Sequence, residues 1–465
     1  MKIFDKKLFA VVILLIFHFA YRFFLLSIDA FPFNSDEAIV GLMAKHILEG
    51  KHFLYFYGQS YMGSLDAYLI AIGFRLLGEK VFVIRLVQII LYAISIVFVY
   101  LFIAKAFKNN QMAFLGSLFF VFPPVNVVLY TTVTLGGYGE ALLIGIVGFY
   151  LSEIILEKIG DKNVMSFVLL QGFLVGLGLF VNPLSLTIMI PAVVYMIYRL
   201  VRGKNIYNIK GCIPVFILSF FIGSLPFWYS LLFSNGIFAL QEITGSAVAV
   251  ETTSYLSKIF SHTASFFLFG LSVIFGLRPP WNVEWIGIFF IPIVIFFWFL
   301  IFYLILSRKH HEETIEKFLF LLLVAVITIG GFIFTSFGVD PSGRYFLPII
   351  FPISVILGYS IFYFRNKLVS ILFVFVIAYQ IYGVFSLSAE KPYLTTQFYG
   401  PAQVDHSNIS KLIQFLQEEN ELYGFSNYWV SYPLAFLSDE KIISVPQLPY
   451  HNDLRFTERD NRIDH

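Results

Sequence analysis

Charged residues are scarce in this chain. Only 13% of its residues are Asp, Glu, Lys or Arg, whereas 58% are hydrophobic. Soluble globular proteins carry about 25% charged residues, so this deficit excludes a soluble protein and indicates an integral membrane protein. The formal net charge of +2 is no indication of nucleic-acid binding, and we expect no nucleic-acid partner.

Cysteine and nucleotide-binding motifs are also nearly absent. The single cysteine, Cys212, excludes an internal disulfide and any zinc site built from several thiolates. The sequence has no glycine-rich phosphate loop followed by Lys-Ser or Lys-Thr, which argues against an internal ATP-driven motor. Aromatic residues are abundant instead, with 57 Phe and 27 Tyr. Lipid-facing spans and interfacial belts can use such a surplus.

Apolar segments of membrane-spanning length recur along the chain. A bilayer core needs roughly 20 apolar residues per helix. The first segment, 8–28, follows Lys2, Lys6 and Lys7, and because positive flanks stay cytoplasmic it runs outward as a signal anchor. The basic residues between later segments support a regular alternation. The predicted spans are 8–28, 81–104, 111–130, 140–157, 164–181, 184–201, 211–233, 285–307, 317–337, 345–364 and 368–388.

This pattern predicts an all-α polytopic membrane protein with about eleven transmembrane helices. Residues 1–388 form the transmembrane domain, with a first outer loop at 29–80 and a second at 234–284. Residues 66–78 are too short to span and are expected in the interface. Residues 262–276 are apolar too, but a span there would move the basic cluster near residue 310 outside. We therefore expect a re-entrant or interfacial segment.

Residues 389–465 are more polar and indicate a small α/β region on the extracytoplasmic face. A helix is expected at 407–420, with strand-like runs near 422–430 and 441–446. The final residues close no pattern, which leaves either a disordered tail or an incomplete domain. The N-terminus is expected in the cytoplasm and the C-terminus outside, with the chain in the plasma membrane.

Asp36 and Glu37 follow the first span directly. A carboxylate at the outer membrane surface can act as a general base toward a hydroxyl that attacks an activated sugar. The alternative is a helix start, because Asn34 and Glu37 have the spacing of a capping box and acidic residues suit a first helical turn. His46 and His52 lie in the same loop and could assist a metal, although most lone histidines do not.

Three further segments combine polar, aromatic and glycine residues at predicted outer turns. Such side chains bind sugars by stacking and by amide hydrogen bonds, and an arginine fork can grip a phosphate. The alternatives are an aromatic belt, a capped helix and an arginine that reaches lipid headgroups. The predicted topology brings all of them to the side of Asp36. The candidate donor- or acceptor-binding residues are Tyr57, Gln59, Tyr61, Asp66, Tyr138, Glu140, Arg344 and Tyr345.

The layout resembles the GT-C class of membrane glycosyltransferases. The resemblance is carried by the acidic pair after the first span, the motifs Y-G-Q-S-Y-M-G-S-L-D and G-G-Y-G-E, and the late R-Y-F-L-P turn. It is to the branch with protein O-mannosyltransferases, the lipid A aminoarabinose transferase and bacterial family-39-like transferases. It covers residues 1–390 in layout and is specific only in the first loop and at R-Y-F-L-P.

The resemblance implies a chemistry and a set of roles. The donor would be a sugar on a polyprenyl or dolichyl monophosphate, and transfer would invert the sugar. Asp36 matches the loop-one aspartate that is the proposed base, Glu37 its acidic neighbour, and Arg344, more loosely, a cation near the phosphate. The acceptor, whether lipid, glycan or protein, and any metal cofactor stay open.

Two other functions fit a multispan protein with membrane-lipid contacts. A lipid-linked-sugar flippase or other transporter would place ionisable residues near the bilayer midplane and usually shows internal repeats. Here no repeat is visible, and the polar motifs lie in outer loops. A glycan polymerase or ligase would have one dominant late outer loop, and 234–284 is too modest for a strong case. The pattern favours a transferase.

Overall fold

The computed structural model describes residues 2–161, 163–203, 210–233, 236–245, 254–450 and 460–463. Within these ranges the chain is mainly helical, and most buried apolar side chains form one large core. The helices are α1 Lys2–Ser27, α2 Ser35–Leu48, α3 Leu65–Leu77, α4 Val81–Ala106, α5 Asn110–Val121, α6 Val125–Tyr130, α7 Tyr138–Glu157, α8 Val164–Val181, α9 Leu186–Arg202, α10 Ile213–Gly223, α11 Leu225–Phe233, α12 Gly236–Ile243, α13 Tyr255–Ser265, α14 Leu271–Ile274, α15 Ile291–Ser307, α16 Glu312–Phe334, α17 Ile350–Phe364, α18 Lys367–Ser388, α19 Ile409–Glu418 and α20 Tyr428–Leu437.

Each predicted span coincides with a helix or with a pair of helices. By length and composition, nine helical segments of the described residues can cross a membrane, or ten if α10 and α11, bent by 61°, form one span. The predicted 111–130 segment is broken into α5 and α6 because Pro123 and Pro124 cannot continue a helix. The predicted 285–307 segment is shortened to α15, since turns occupy 286–290. The polytopic all-α fold is therefore confirmed.

The helical segment Tyr255–Ile274, which comprises α13, a π-helical turn and α14, was not among the predicted spans, although its length and hydropathy qualify it. Its contacts place both of its halves at the same turn between α16 and α17. His262 Nδ1 lies 3.0 Å from the carbonyl oxygen of Ile333. A Cβ on Gly343 would lie 2.7 Å from the Val273 side chain. The interfacial placement stays a prediction, because by length and composition the segment also qualifies as a span.

One end of the helix bundle carries a group of ion pairs between the ends of α4, α7, α9 and α16. The Arg202 guanidinium lies 2.8 Å from Glu312, Arg199 lies 3.4 Å from Glu313, and Lys317 lies 2.9 Å from Glu313. Lys105 pairs with Glu157 at the same end. These are the loops predicted to face the cytoplasm. The first outer loop, the 134–140 turn and the turn before α17 lie at the opposite end.

The C-terminal region packs on the first outer loop. It contains a two-stranded parallel sheet, Tyr423–Ser426 with Ile443–Pro446, in which Tyr423 pairs with Ile443, and α20 connects the strands. The predicted helix at 407–420 is α19, and the strand-like runs contain these two strands. The part of 422–430 that follows Asn427 is helix instead, because Asn427 caps α20 by accepting a hydrogen bond from the Trp429 amide.

Helix α20 is fixed against α2 by polar and aromatic contacts. The Ser35 hydroxyl donates to the Tyr428 carbonyl oxygen at 2.5 Å, and Lys45 lies 2.7 Å from Asp439. The Phe436 ring lies so close to Gly41 that a Cβ there would be 2.6 Å from it. Since a glycine permits this approach, the C-terminal region holds α2, and with it Asp36, in a fixed position.

Candidate functional site

Asp36 lies in the first turn of α2 but does not cap the helix. Asn34 is the N-cap, and its side chain accepts from the Glu37 amide at 3.1 Å. The Asp36 carboxylate instead accepts a 2.6 Å hydrogen bond from the Tyr428 hydroxyl. Asp36 is partly exposed, whereas its neighbours Ser35 and Glu37 are buried. The capping alternative therefore does not account for this side chain, which remains open toward the outer end of the bundle.

Ionisable groups from the C-terminal region surround Asp36. Burial and the Asp36 charge raise the pKa of Tyr428 well above its ordinary value. Burial, opposed by Arg462 and reinforced by Asp36, raises the pKa of Asp460 to about 6. Burial also raises the pKa of Tyr450, with smaller contributions from Asp460 and Asp36. Asp36 is thus at the centre of a cluster of ionisable groups.

Glu37 points away from this cluster. It has no exposed surface, and its two oxygens accept from Arg85 Nε and Nη2 at 2.9 and 3.0 Å. Burial raises the pKa of Glu37, and Arg85 opposes that shift. The prediction that Glu37 takes part in catalysis has no support in this geometry. The buried Glu37–Arg85 pair, with its two hydrogen bonds, joins α2 to α4. It thereby positions Asp36, the residue before Glu37.

Asp66 and Glu140 form a second buried acidic group. Asp66 accepts from Gln88 Nε2 at 2.8 Å and from the Thr134 hydroxyl, and burial raises the pKa of Asp66. Glu140 is buried beside it in the first turn of α7. Both lie beneath the outer loop. Asp66 thereby joins α3 to α4 and to the turn before α7, whereas neither Glu140 oxygen has a hydrogen-bond partner among the described residues. Contact of these two residues with donor or acceptor stays a prediction.

The predicted binding loop Tyr57–Tyr61 lies between Asp36 and the membrane core. The Tyr57 hydroxyl lies 2.7 Å from His46 Nδ1. Gln59, with its amide oxygen turned toward Arg462, accepts from both Nη atoms at 3.2 Å. Burial and Tyr138 raise the pKa of Tyr61, while Arg344 and Arg462 act in the opposite direction. Tyr61 is therefore within electrostatic reach of two arginines.

Arg344 lies just before α17 and within electrostatic reach of Tyr61. It forms an ion pair with Asp340, and its guanidinium carbon lies 5.2 Å from the Tyr345 ring centre. A quarter of its side chain is exposed. Next to it is a cavity of about 140 Å³ with mostly aromatic and aliphatic walls. The residues that line it are Tyr61, Tyr138, Asn182, Pro183, Leu184, Thr187, Ile243, Thr328, Gly331, Phe332, Thr335, Phe337 and Tyr345.

The structure thus gathers five predicted binding residues around one outer site: Tyr57, Gln59, Tyr61, Tyr138 and Tyr345, with Arg344 beside the last two. Tyr428, Arg462 and Asp340 also belong to it, and sequence reasoning missed all three as site residues. Tyr428 and Arg462 lie about 400 residues from Asp36 along the chain, and no local pattern marks them. Asp340 precedes Arg344 by four residues, a spacing that could have suggested the ion pair.

The histidines of the first loop have side-chain partners. His46 lies between Tyr57 and Glu440, and His52 Nδ1 lies 3.1 Å from the Tyr68 hydroxyl. Over the described residues, no group of three or more His, Cys, Asp or Glu side chains is arranged to hold a metal ion. The sequence leaves metal use open, and these contacts do not decide it.

A protein-family comparison matches part of the chain. The family described as dolichyl-phosphate-mannose-protein mannosyltransferase matches residues 64–229, a range that includes Tyr138 but neither Asp36 nor Arg344. Among curated protein sequences, none matches this chain significantly.

Solved structures match nearly the whole chain at low sequence identity. ArnT from Cupriavidus metallidurans, bound to undecaprenyl phosphate, superposes with a TM-score of 0.61 and 12% identity over 96% of this chain and 87% of that one. The Archaeoglobus fulgidus oligosaccharyltransferase, in complex with Zn and sulfate, gives 0.59 and 13% over 94% of this chain. The same enzyme with an inhibitory peptide and a dolichol-phosphate gives 0.57 and 12%.

The chain spans 62% of the length of the first archaeal oligosaccharyltransferase structure and 64% of the second. More than a third of those chains therefore lies outside the match. The likeness over the membrane part nevertheless confirms the predicted fold: the chain has the architecture of the GT-C class.

Proposed function

We propose that this protein is a membrane glycosyltransferase that moves a sugar from a polyprenyl- or dolichyl-phosphate donor to a hydroxyl acceptor. One observation carries the proposal. A partly exposed carboxylate, Asp36, and an arginine beside an aromatic cavity, Arg344, lie at the same end of the bundle. A base and a phosphate-binding cation are what a transfer from a lipid phosphate needs.

Each of these residues has a separate role in the proposed transfer. Arg344 holds the donor phosphate through its N–H donors, and the cavity lined by Tyr61, Tyr138 and Tyr345 receives apolar parts of the donor. The acceptor hydroxyl lies against Asp36, which takes its proton as the oxygen attacks the anomeric carbon. The bond from that carbon to the phosphate oxygen breaks, and the lipid phosphate leaves with the electron pair of that bond. The configuration at the anomeric carbon is inverted.

The structural neighbours support the donor class. The ArnT structure contains undecaprenyl phosphate, and one oligosaccharyltransferase structure contains a dolichol-phosphate. The site would lie on the extracytoplasmic face of the plasma membrane, with the C-terminal region above it, because the ionic loops at the other end of the bundle carry the basic residues. The transferred sugar and the acceptor's class are open.

The proposal is tested in proteoliposomes supplied with polyprenyl-phosphate sugars that are labelled in the sugar. The expected result is release of free lipid phosphate matched by label in an acceptor fraction from native membranes, with the opposite anomeric configuration. Movement of the labelled donor across the bilayer without cleavage of the sugar–phosphate bond would contradict it and indicate a flippase.

A further inference from the structure

Arg462 reaches the site from the C-terminal end of the described chain. Its guanidinium donates to the Tyr57 carbonyl oxygen at 3.3 Å and to the Gln59 amide oxygen at 3.2 Å. It lies over the ring of Tyr428, 5.7 Å from the ring centre. Its backbone amide donates to the Tyr432 hydroxyl at 2.6 Å. A partly buried cation thus contacts both the first outer loop and α20.

The same contacts connect Arg462 with Asp36. The Tyr428 ring under the guanidinium carries the hydroxyl that donates to Asp36 Oδ1. Burial lowers the pKa of Arg462, and the Asp36 carboxylate acts in the opposite direction. Opposite charges in a partly buried site attract each other, so the cation is placed to stabilise the negative charge of the carboxylate.

Three other ionisable groups face Asp36 from the elements packed around it. Tyr428 and Tyr450 are neutral at ordinary pH, since burial raises the pKa of each. Asp460 is acidic and repels the Asp36 charge once it loses its own proton near pH 6. Within α2 itself, the charge of Glu37 is paired with Arg85. Among these groups, Arg462 supplies the positive charge.

We propose that Arg462 is a positioning residue for the base: it stabilises the negative charge on Asp36 and holds the Tyr57–Gln59 backbone beside it. This inference rests on the proposed function for its consequence in catalysis. The arginine makes its contacts through the Tyr428 ring and the loop, so Asp36 keeps an exposed carboxylate that can accept a proton from a hydroxyl.

The effect of the Arg462 charge on Asp36 is tested with substitutions of Arg462 and of the neighbouring anion, Asp460. Arg462→Gln removes the cation and is expected to move the acidic limb of the pH profile of kcat/KM upward, by at most about one unit because the Tyr428 ring lies between the two charges. Asp460→Asn is expected to change the profile only near and above pH 6, where Asp460 carries its charge. Arg462→Lys keeps the charge and should restore most of the native limb. Lys411→Gln, an exposed change on α19, should leave it in place.

A measurement that needs no turnover separates this inference from the proposed function. The carboxyl band of Asp36 is isolated as the infrared difference between each protein and its Asp36→Asn counterpart, and is followed from acid to neutral pH. A higher titration midpoint in Arg462→Gln, restored by Arg462→Lys, supports the inference even if no donor is cleaved. An unchanged midpoint in folded Arg462→Gln overturns it, even if that variant transfers sugar more slowly.

Discussion

Substitutions in the Glu37–Arg85 pair test which of the two adjacent acidic residues, Asp36 or Glu37, has a structural role. Both side chains are buried and share two hydrogen bonds of 2.9 and 3.0 Å. Breaking a buried pair by removing one partner typically costs about 3–5 kcal/mol, because the other charge is left without a counter-ion. Arg85→Met and Glu37→Gln should therefore each lower the free energy of unfolding by about 3 kcal/mol.

The double variant Glu37→Gln/Arg85→Met removes both charges and should recover more than about 1 kcal/mol relative to the sum of the single changes. Unfolding is followed in a fixed detergent, and transfer activity is expressed per folded molecule. With Glu37 as a positioning residue, each variant retains measurable turnover once it is folded.

A different result would refute this reasoning. General bases contribute about 10²–10⁴-fold in rate. If Glu37→Gln kept native stability but lost more than about 100-fold in turnover, Glu37 would be the base, and its bidentate contact with Arg85 would have to open during the reaction.

Three other changes follow from the geometry. Arg344→Gln should lower kcat/KM for the lipid donor by about 10–100-fold, the range of one or two charge-assisted hydrogen bonds, and mainly through KM. Gly41→Ala should destabilise the protein by about 1–3 kcal/mol, because its Cβ would lie 2.6 Å from the Phe436 ring, and thermal unfolding measures this loss. A fluorophore on Asn461→Cys should report looser packing as pH rises from about 4 to above 6, since folding raises the pKa of Asp460 from 3.8 to about 6 and the stability that protonation supplies is lost over that window.

Each of these has a matched control. Arg344→Lys keeps the charge and should recover part of the donor KM. Gly331→Ala places a Cβ where nothing lies within 4 Å, so it should not destabilise. Asp460→Asn should abolish the pH response of the fluorophore. An unchanged donor KM in Arg344→Gln, a stable Gly41→Ala or a response that persists in Asp460→Asn would each contradict the corresponding contact.

The membrane architecture was predictable because it depends on local properties of the sequence. Apolar length placed the spans, and basic residues placed the loops, so that Arg202 and Asp36 lie at opposite ends of the bundle as expected. The deviations were local as well. Pro123 and Pro124 break one predicted span, and the segment Tyr255–Ile274, part of which was expected in the interface, is long and apolar enough to span.

The candidate site was predictable only in part. Asp36 stands out because it follows a span directly. Arg344 stands out because a charged residue at the membrane edge costs energy unless it has a partner or a function. The distinction between Asp36 and Glu37 depends on Arg85, and the contact of Asp36 with Tyr428 depends on how α20 packs. Such contacts join residues far apart in sequence, and their geometry is set by tertiary packing that one sequence does not display.

The most direct test of the account is the transfer rate of Asp36→Asn. Asparagine keeps the size of the side chain and can still accept the Tyr428 hydrogen bond, but it cannot take a proton from the acceptor. Asp29→Asn, the same chemical change at an exposed position of the same loop, is the control. The account predicts a loss of about 10²–10⁴-fold in Asp36→Asn and native turnover in Asp29→Asn, at equal amounts of folded protein. Native turnover in Asp36→Asn would contradict the assignment of Asp36 as the base.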